Sequence, residues 1–326
     1  MADLSTEYLG LKLKNPIIAG SSGLTKDING VAKLYESGAG AIVLKSLFEE
    51  QINAEVSKKY AEDGGGYTEA YDYLNHAIKD FTLDNYLSLI EEAKDKTDIP
   101  IIASINCISD SDWVDFAKQI ESAGADALEL NISVLPFDPE KTGEQNEKAY
   151  FSIIDKVSKA VNLPLAIKMG SYSAGLANLI KRISWTRKVK GAVLFNRYYQ
   201  PGIDLVQMNV TSTEIYSHPS EITLPLRWIG LLSDGLPMDL AGTTGVHSGR
   251  DVVKMILVGA KAVQIASVLY KNGATYIQTM LEEIERWMYE NEYAGIESFR
   301  GELCKQNMAT PAYERIQFMK YYGGIE

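Results

Sequence analysis

Two lysines carry the first chemical signal in this sequence. Lys45 ends the run AIVLK and Lys168 ends PLAIK, each after a stretch of apolar, partly β-branched residues. An ammonium group at the end of a buried run is costly unless it is paired or serves a ligand. Other apolar runs end in polar groups: Ser21 after Ala19-Gly20, Ser46 beside Lys45, Ser104 and Asn106 in ASIN, Asn131 and Ser133 in ELNIS, and Asn196 after VLF. Singly, each reads as a solvated loop residue. Together they describe the wall of a ligand-filled mouth, with amides to orient a ligand and lysines to stabilise negative charge. The runs DLAGTTGV and AVQIAS add small residues, Gly242 to Gly245 and Ala266-Ser267, that let backbone N–H groups approach an anion. GTTG alone is an ordinary turn; its pairing with a second small-residue strand end gives it weight.

Groups so scattered in sequence need elements that end in one place. Small-residue turns recur at Gly38-Ala39-Gly40, Gly124-Ala125, Gly191-Ala192 and Gly259-Ala260, each before an apolar run. Each reads as a helix end, a turn and a strand, in a unit of about 37 residues, which suits a βα repeat. The apolar runs span 15–23, 41–46, 99–106, 126–133, 163–170, 191–196, 239–246 and 262–269. Their near-continuous apolar character fits parallel strands buried on both faces. Between them Ile28, Val31, Ala32 and Tyr35 share one helical stripe, as do Ile277, Leu281, Ile284 and Met288. Eight such units predict a (β/α)₈ TIM barrel, whose strand C-termini form the catalytic face. A doubly wound open sheet is the alternative, because a strand count does not prove closure. Segments 47–80 and 197–223, after the second and sixth strands, exceed what a bare barrel needs and read as long loops on that face.

The 326 residues allow two domains or one large barrel; with no linker in sight, one domain over 1–326 is expected, with 304–326 as a C-terminal extension. Apolar residues at 46 % and charged residues at 23 % exclude disordered and collagenous classes. A net charge of -11 argues against nucleic-acid or anionic-membrane partners. Two cysteines, Cys107 and Cys304, cannot build a disulfide framework or an iron–sulfur site, no apolar run approaches a membrane span, and a reducing cytoplasm is the expected setting. No metal is expected. His247, after the strand-seven turn, reads as a loop or capping residue, and Cys107 as a small buried hydrophobe.

In this order the motifs NPIIAGSSG, GAGAIVLKS, ELNIS, PLAIK, FN, GTTGVHSGRD, GAKAVQIASVLY and IESFRGEL resemble the dihydroorotate dehydrogenase family, barrel enzymes that carry flavin mononucleotide (FMN). The resemblance implies that Ala19, Gly20 and Ser21 back the flavin ring, that Lys45 and Ser46 meet flavin and substrate, and that Asn106 and Asn131 hydrogen-bond near the ring. It places Lys168 beside the ring's N1/O2 edge and the phosphate on Gly245, Ala266 and Ser267. Substrate would face Lys45, Asn131, Asn196 and Arg197. A soluble electron acceptor, and a homodimer as in soluble members, are implied as partners.

The sequence departs from the family where substrate chemistry is done. The family's strand-four loop carries a Cys or Ser base followed by Pro-Asn; here it reads Asn131-Ile132-Ser133-Val134-Leu135-Pro136-Phe137. Val134 cannot accept a proton, and Phe137 replaces an amide. A shifted register puts Ser133 in the base's place, which makes Ser133, with Lys45 and Lys168, the catalytic set; Tyr71 and Asp138 are further candidate bases. Arg197 stands where a small hydroxyl residue is expected, and Thr244 replaces the first glycine of the usual pair. The expectation is an FMN-dependent oxidoreductase acting on dihydroorotate or a related small planar, anionic compound. A non-catalytic flavin-binding or regulatory protein, or a flavin-free barrel for a phosphorylated metabolite, would share part of the pattern.

Overall fold

The computed structural model describes residues 2–48, 68–106, 113–132, 134–198, 200–212, 214–307 and 313, except for the side chains of 48, 68–81, 113 and 306. All eight expected strands are present: Ile17–Ala19, Ala41–Val43, Ile101–Asn106, Ala127–Ile132, Leu165–Met169, Gly191–Leu194, Asp239–Thr243 and Ala262–Ile265. Each pairs in parallel with the next, the eighth pairs with the first, and the second pairs with the third through Ile42 opposite Ile101. That ring is closed, so the open sheet is excluded and the chain is a (β/α)₈ barrel.

Alternation along the strands sorts their side chains into two cores. Leu128, Leu130 and Ile132, like Leu165, Ile167 and Met169, face outward into the layer shared with the helices. Ala127, Ala166, Ala241 and Ala262 face inward with Ile18, Val43, Ile102 and Val193. These small inward residues leave room for an antiparallel hairpin, Thr6–Tyr8 with Leu11–Leu13, whose Tyr8, Leu9 and Leu13 fill the bottom of the barrel. The Leu9 N–H donates to Asp239 Oδ2 at 2.8 Å, which ties the plug to the seventh strand. The hairpin thus fills the barrel interior at its N-terminal end, beside a surface cavity lined by Glu7, Leu9, Lys190, Asp239 and Lys261.

Helix starts follow their sequence signals. Asp27 caps Ile28–Glu36 by accepting from the Gly30 N–H, Thr142 and Gln145 form a capping box on Gly143–Ala160, and Ser248 caps Gly249–Leu257. The segment after the second strand is shorter as a loop than expected, because its last part already belongs to the helix Thr68–Lys96; residues 49–67 lie outside the described residues. The segment after the sixth strand is built on a hairpin, Pro201–Asp204 with Asn209–Ser212. Among the described residues no helix is long and apolar enough to cross a membrane. Tyr313 hydrogen-bonds the Leu303 carbonyl and its ring lies against Gly230.

Candidate active site

Above the apolar plug, the inward positions turn polar. Two residues beyond Ala127 stands Glu129, beyond Ala166 stands Lys168, and beyond Ala262 stands Gln264. Glu129 and Gln264 are each 1 % exposed. The Gln264 amide donates from Nε2 to Glu129 Oε2 at 2.5 Å, and its Oε1 accepts from Lys168 Nζ at 3.0 Å. Lys168 Nζ also stands 3.8 Å from Glu129 Oε1. Register places Asn106 opposite Asn131 and Asn131 opposite Lys168 on three adjacent strands. Asn131 Oδ1 accepts from Asn196 Nδ2 at 2.9 Å, whereas the buried Asn106 Oδ1 has no partner among the described residues.

Opposite this row runs a chain of hydroxyls. Ser21 Oγ accepts from the Ser46 N–H at 2.9 Å, Ser46 Oγ is 2.7 Å from Ser104 Oγ, and the Ser104 N–H donates to Tyr86 Oη at 2.8 Å. Lys45, beside Ser46, is half-buried, and its ammonium has no partner among the described residues. The Ala19 methyl belongs to the outer, helix-facing core, so its backbone is the part available to a ligand. Gly20 donates its N–H to the Ile265 carbonyl at 2.9 Å and packs against Gln264.

Ser21, Lys168, Asn196, Arg197, Gly245, Ala266 and Ser267 line one cavity of about 470 Å³. Sequence reasoning named all seven. At its far end Gly245 adopts φ +77° and Thr244 φ +74°. The N–H groups of Gly245, Val246, Ala266 and Ser267 have no acceptor among the described residues. Free N–H groups at two adjacent turns are what an anion requires.

The strand-six loop is pinned onto these turns through Ser217. Its N–H donates to Ser267 Oγ at 3.0 Å, its Oγ is 3.0 Å from His247 Nε2, and its carbonyl accepts from Lys271 Nζ at 3.1 Å. His247 thus has the structural role its position suggested. Burial, with Lys271 beside it, holds His247 below its ordinary value of 6.5. A histidine depressed in the fold protonates more readily in the unfolded chain, so its contribution to stability is full above about pH 6.5 and is lost as pH falls toward the folded value. His247→Gln is expected to flatten the acid side of the stability profile between about pH 7 and 5, read by thermal melts across that range.

Arg197, reached from the same loop, donates through Nε to Glu221 Oε2 at 2.9 Å and through Nη1 to the Glu214 and Ile215 carbonyls at 3.1 Å. Its buried Nη2 has no partner among the described residues. A second cavity of about 260 Å³ shares Phe195, Asn196, Arg197 and Thr244 with the first.

Beyond Ser133, the altered strand-four loop turns toward the neighbouring strand-five loop. Val134 lines a separate cavity of about 180 Å³ with Tyr150, Gly170 and Tyr172, and Phe137 is 82 % exposed. Asp138 is spent on a surface turn, accepting from the Glu140 N–H at 3.0 Å with Lys141 3.8 Å away, and is withdrawn as a base. Ser133, Cys107 and the side chain of Tyr71 lie outside the described residues. Sequence reasoning missed Glu129, Gln264 and Ser217. The first two had a signal: they stand two residues before Asn131 and Ala266, hence on the same face of their strands.

A closed parallel barrel with a lysine at the base of its mouth and N–H groups without acceptors among the described residues at its last two strand ends has the arrangement that an anionic ligand requires. Residues 3–214 match the family described as dihydroorotate dehydrogenase, and the chain belongs to that family. It is 26 % identical over 312 residues to the dihydroorotate dehydrogenase B (NAD(+)) catalytic subunit of Thermoplasma volcanium, covering 94 % of this chain and 100 % of the relative. It is likewise 26 % identical to the enzyme of that name from Bacillus cereus, over 94 % of this chain and 98 % of the relative. The chloroplastic dihydropyrimidine dehydrogenase (NADP(+)) of Arabidopsis thaliana is 24 % identical, over 92 % of this chain and 76 % of the relative. The family consists of oxidoreductases acting on CH–CH groups, and its enzymes bind FMN. The residues present fit that cofactor: free N–H groups at the phosphate end, a floor lysine with N–H bonds to spare, and an orphaned Asn106 Oδ1 that awaits a donor.

Proposed function

We propose that this chain is an FMN-dependent oxidoreductase, one barrel domain with 304–326 as an extension, that transfers hydride between a CH–CH bond of a small planar, anionic ring compound and the flavin. When bound, FMN supplies the hydride acceptor at N5. The turns at Gly245 and Ala266-Ser267 hold the phosphate by their N–H groups. Lys168 would hold the flavin ring and offer a positive charge to the reduced form, and Asn106, Asn131 and Ser46 would orient the ring by hydrogen bonds. Lys45, Asn131, Asn196 and Arg197 face the substrate, with Arg197 Nη2 and the Lys45 ammonium free to take an anionic group. Ser133 is the residue assigned to move the substrate proton, and a serine needs activation to do so.

The observation that carries this reading is Lys168 held at the edge of a cavity that ends in unpaired backbone N–H groups. The altered strand-four loop favours a compound related to dihydroorotate over dihydroorotate itself, since a missing base is worth roughly 10²–10⁴ in rate. The relatives' names, a catalytic subunit with NAD(+) and a dehydrogenase with NADP(+), support a separate redox partner or a soluble acceptor as the exit for electrons. The purified chain is expected to be yellow, with one FMN per chain. Mixed anaerobically with dihydroorotate, it is expected to bleach at least about a hundredfold more slowly than the Thermoplasma volcanium relative measured alongside. Bleaching as fast as the relative's overturns the altered-substrate reading. A chain that stays colourless after incubation with FMN overturns the flavin reading in favour of a phosphorylated metabolite.

A further inference from the structure

We infer that Glu129 and Gln264 are positioning residues that act through Lys168: they fix where its ammonium stands beneath the ligand. This rests on the function proposed above and names the part of the site that would set how strongly the flavin accepts negative charge.

Packing does not call for these residues. A carboxylate taken out of water costs several kcal/mol, and a buried ion pair replaced by apolar groups of similar volume is often no less stable. The level directly below, made of alanines around Tyr8 and Leu9, shows that this barrel closes with apolar contacts alone. Nor is the network tuned for stability. Glu129 Oε1 has no hydrogen-bond partner among the described residues, and 3.8 Å to Lys168 Nζ is an approach without a hydrogen bond.

The network does determine orientation. A glutamine amide can be turned either way round, and its partners decide which end points where. Glu129 accepts hydrogen bonds only, so it takes the Nε2 end of Gln264. That leaves Oε1 facing Lys168, which donates to it. The charge on Glu129 is thus passed across Gln264 as a fixed dipole, and Lys168 is held by one hydrogen bond with its other N–H groups left for a ligand. With glutamine at position 129 the amide would lose its reason to point one way.

The test uses Glu129→Gln, which keeps shape and removes charge, and Gln264→Met, which keeps the ion pair and removes the relay. On FMN-loaded protein the readout is the affinity for sulfite, whose flavin adduct demands the same stabilisation of charge. Both variants are expected to bind sulfite about tenfold or more weakly, whereas Glu129→Gln added to Lys168→Met changes the affinity less than about twofold. Unchanged sulfite affinity in the flavin-loaded single variants overturns the inference, as does an equal loss in the Lys168→Met background. On flavin-free protein, Lys168 in either variant is expected to react with acetic anhydride about tenfold faster than in the parent, with Lys45 unchanged, because the nitrogen must leave its acceptors to attack. Equal reactivity overturns the inference even if the parent takes up no FMN, an outcome that by itself removes only the flavin reading.

Discussion

Lys168→Met is expected to slow reduction of the bound flavin by about 100-fold or more, the loss found when a preorganised donor to developing charge is removed. The same substitution should weaken FMN binding and lower thermal stability, because Glu129, 1 % exposed, loses the ammonium 3.8 Å away. Breaking a buried pair from one side typically costs about 3–5 kcal/mol. The double variant Lys168→Met, Glu129→Gln separates the two consequences. It should recover most of the stability, since no unpaired charge remains, and none of the rate. Stopped-flow flavin reduction and thermal melts on the same preparations give both numbers. An unchanged rate in Lys168→Met would remove this lysine from the chemistry.

Gly245→Ala is expected to be the most damaging small substitution in the barrel mouth. At φ +77° an added Cβ is strained in itself, and it would lie 2.1 Å from the Ile222 nitrogen and 2.7 Å from the Glu221 carbonyl carbon. Backbone has to move, because no flexible side chain stands there to give way. The segment that moves leads into the helix Thr223–Leu232 and carries Glu221, the partner of Arg197. A loss of about 3 kcal/mol or more and at least tenfold weaker FMN binding are expected, read by denaturant unfolding and by flavin fluorescence titration. Gly124→Ala is the matched control. Its φ is +92° but nothing lies within 4 Å of the added Cβ, so the cost should stay near about 1–2 kcal/mol with FMN binding unchanged.

These two positions mark where the sequence was legible and where it was not. Gly245 stood out in GTTG through its place after a seventh apolar run, and Lys168 because a lysine ends a buried strand. Both signals are local: they depend on a residue type and its place in one element. The partners that make both residues consequential lie outside their own elements: Gln264 is 96 positions from Lys168, and Ile222 approaches Gly245 from another loop. Glu129 stood in ELNIS in plain view, yet its meaning depends on which strands the ring sets across from it. Ala19 shows the same dependence, since one position along the first strand exchanges the mouth for the helix layer and leaves only its backbone facing inward.

By itself the sequence determined the eight βα units, their order, the mouth's polar lining and the family, because periodicity, small-residue turns and strand-end chemistry are written within single elements. Tertiary structure alone decided that the ring closes, that a hairpin plugs its floor, that Val134 faces a side cavity, and that Glu129 reaches Lys168 through Gln264. The physical reason is that a parallel barrel makes its pairings across long stretches of chain. Register and shear, which no local pattern encodes, choose the side chains that share a level inside it.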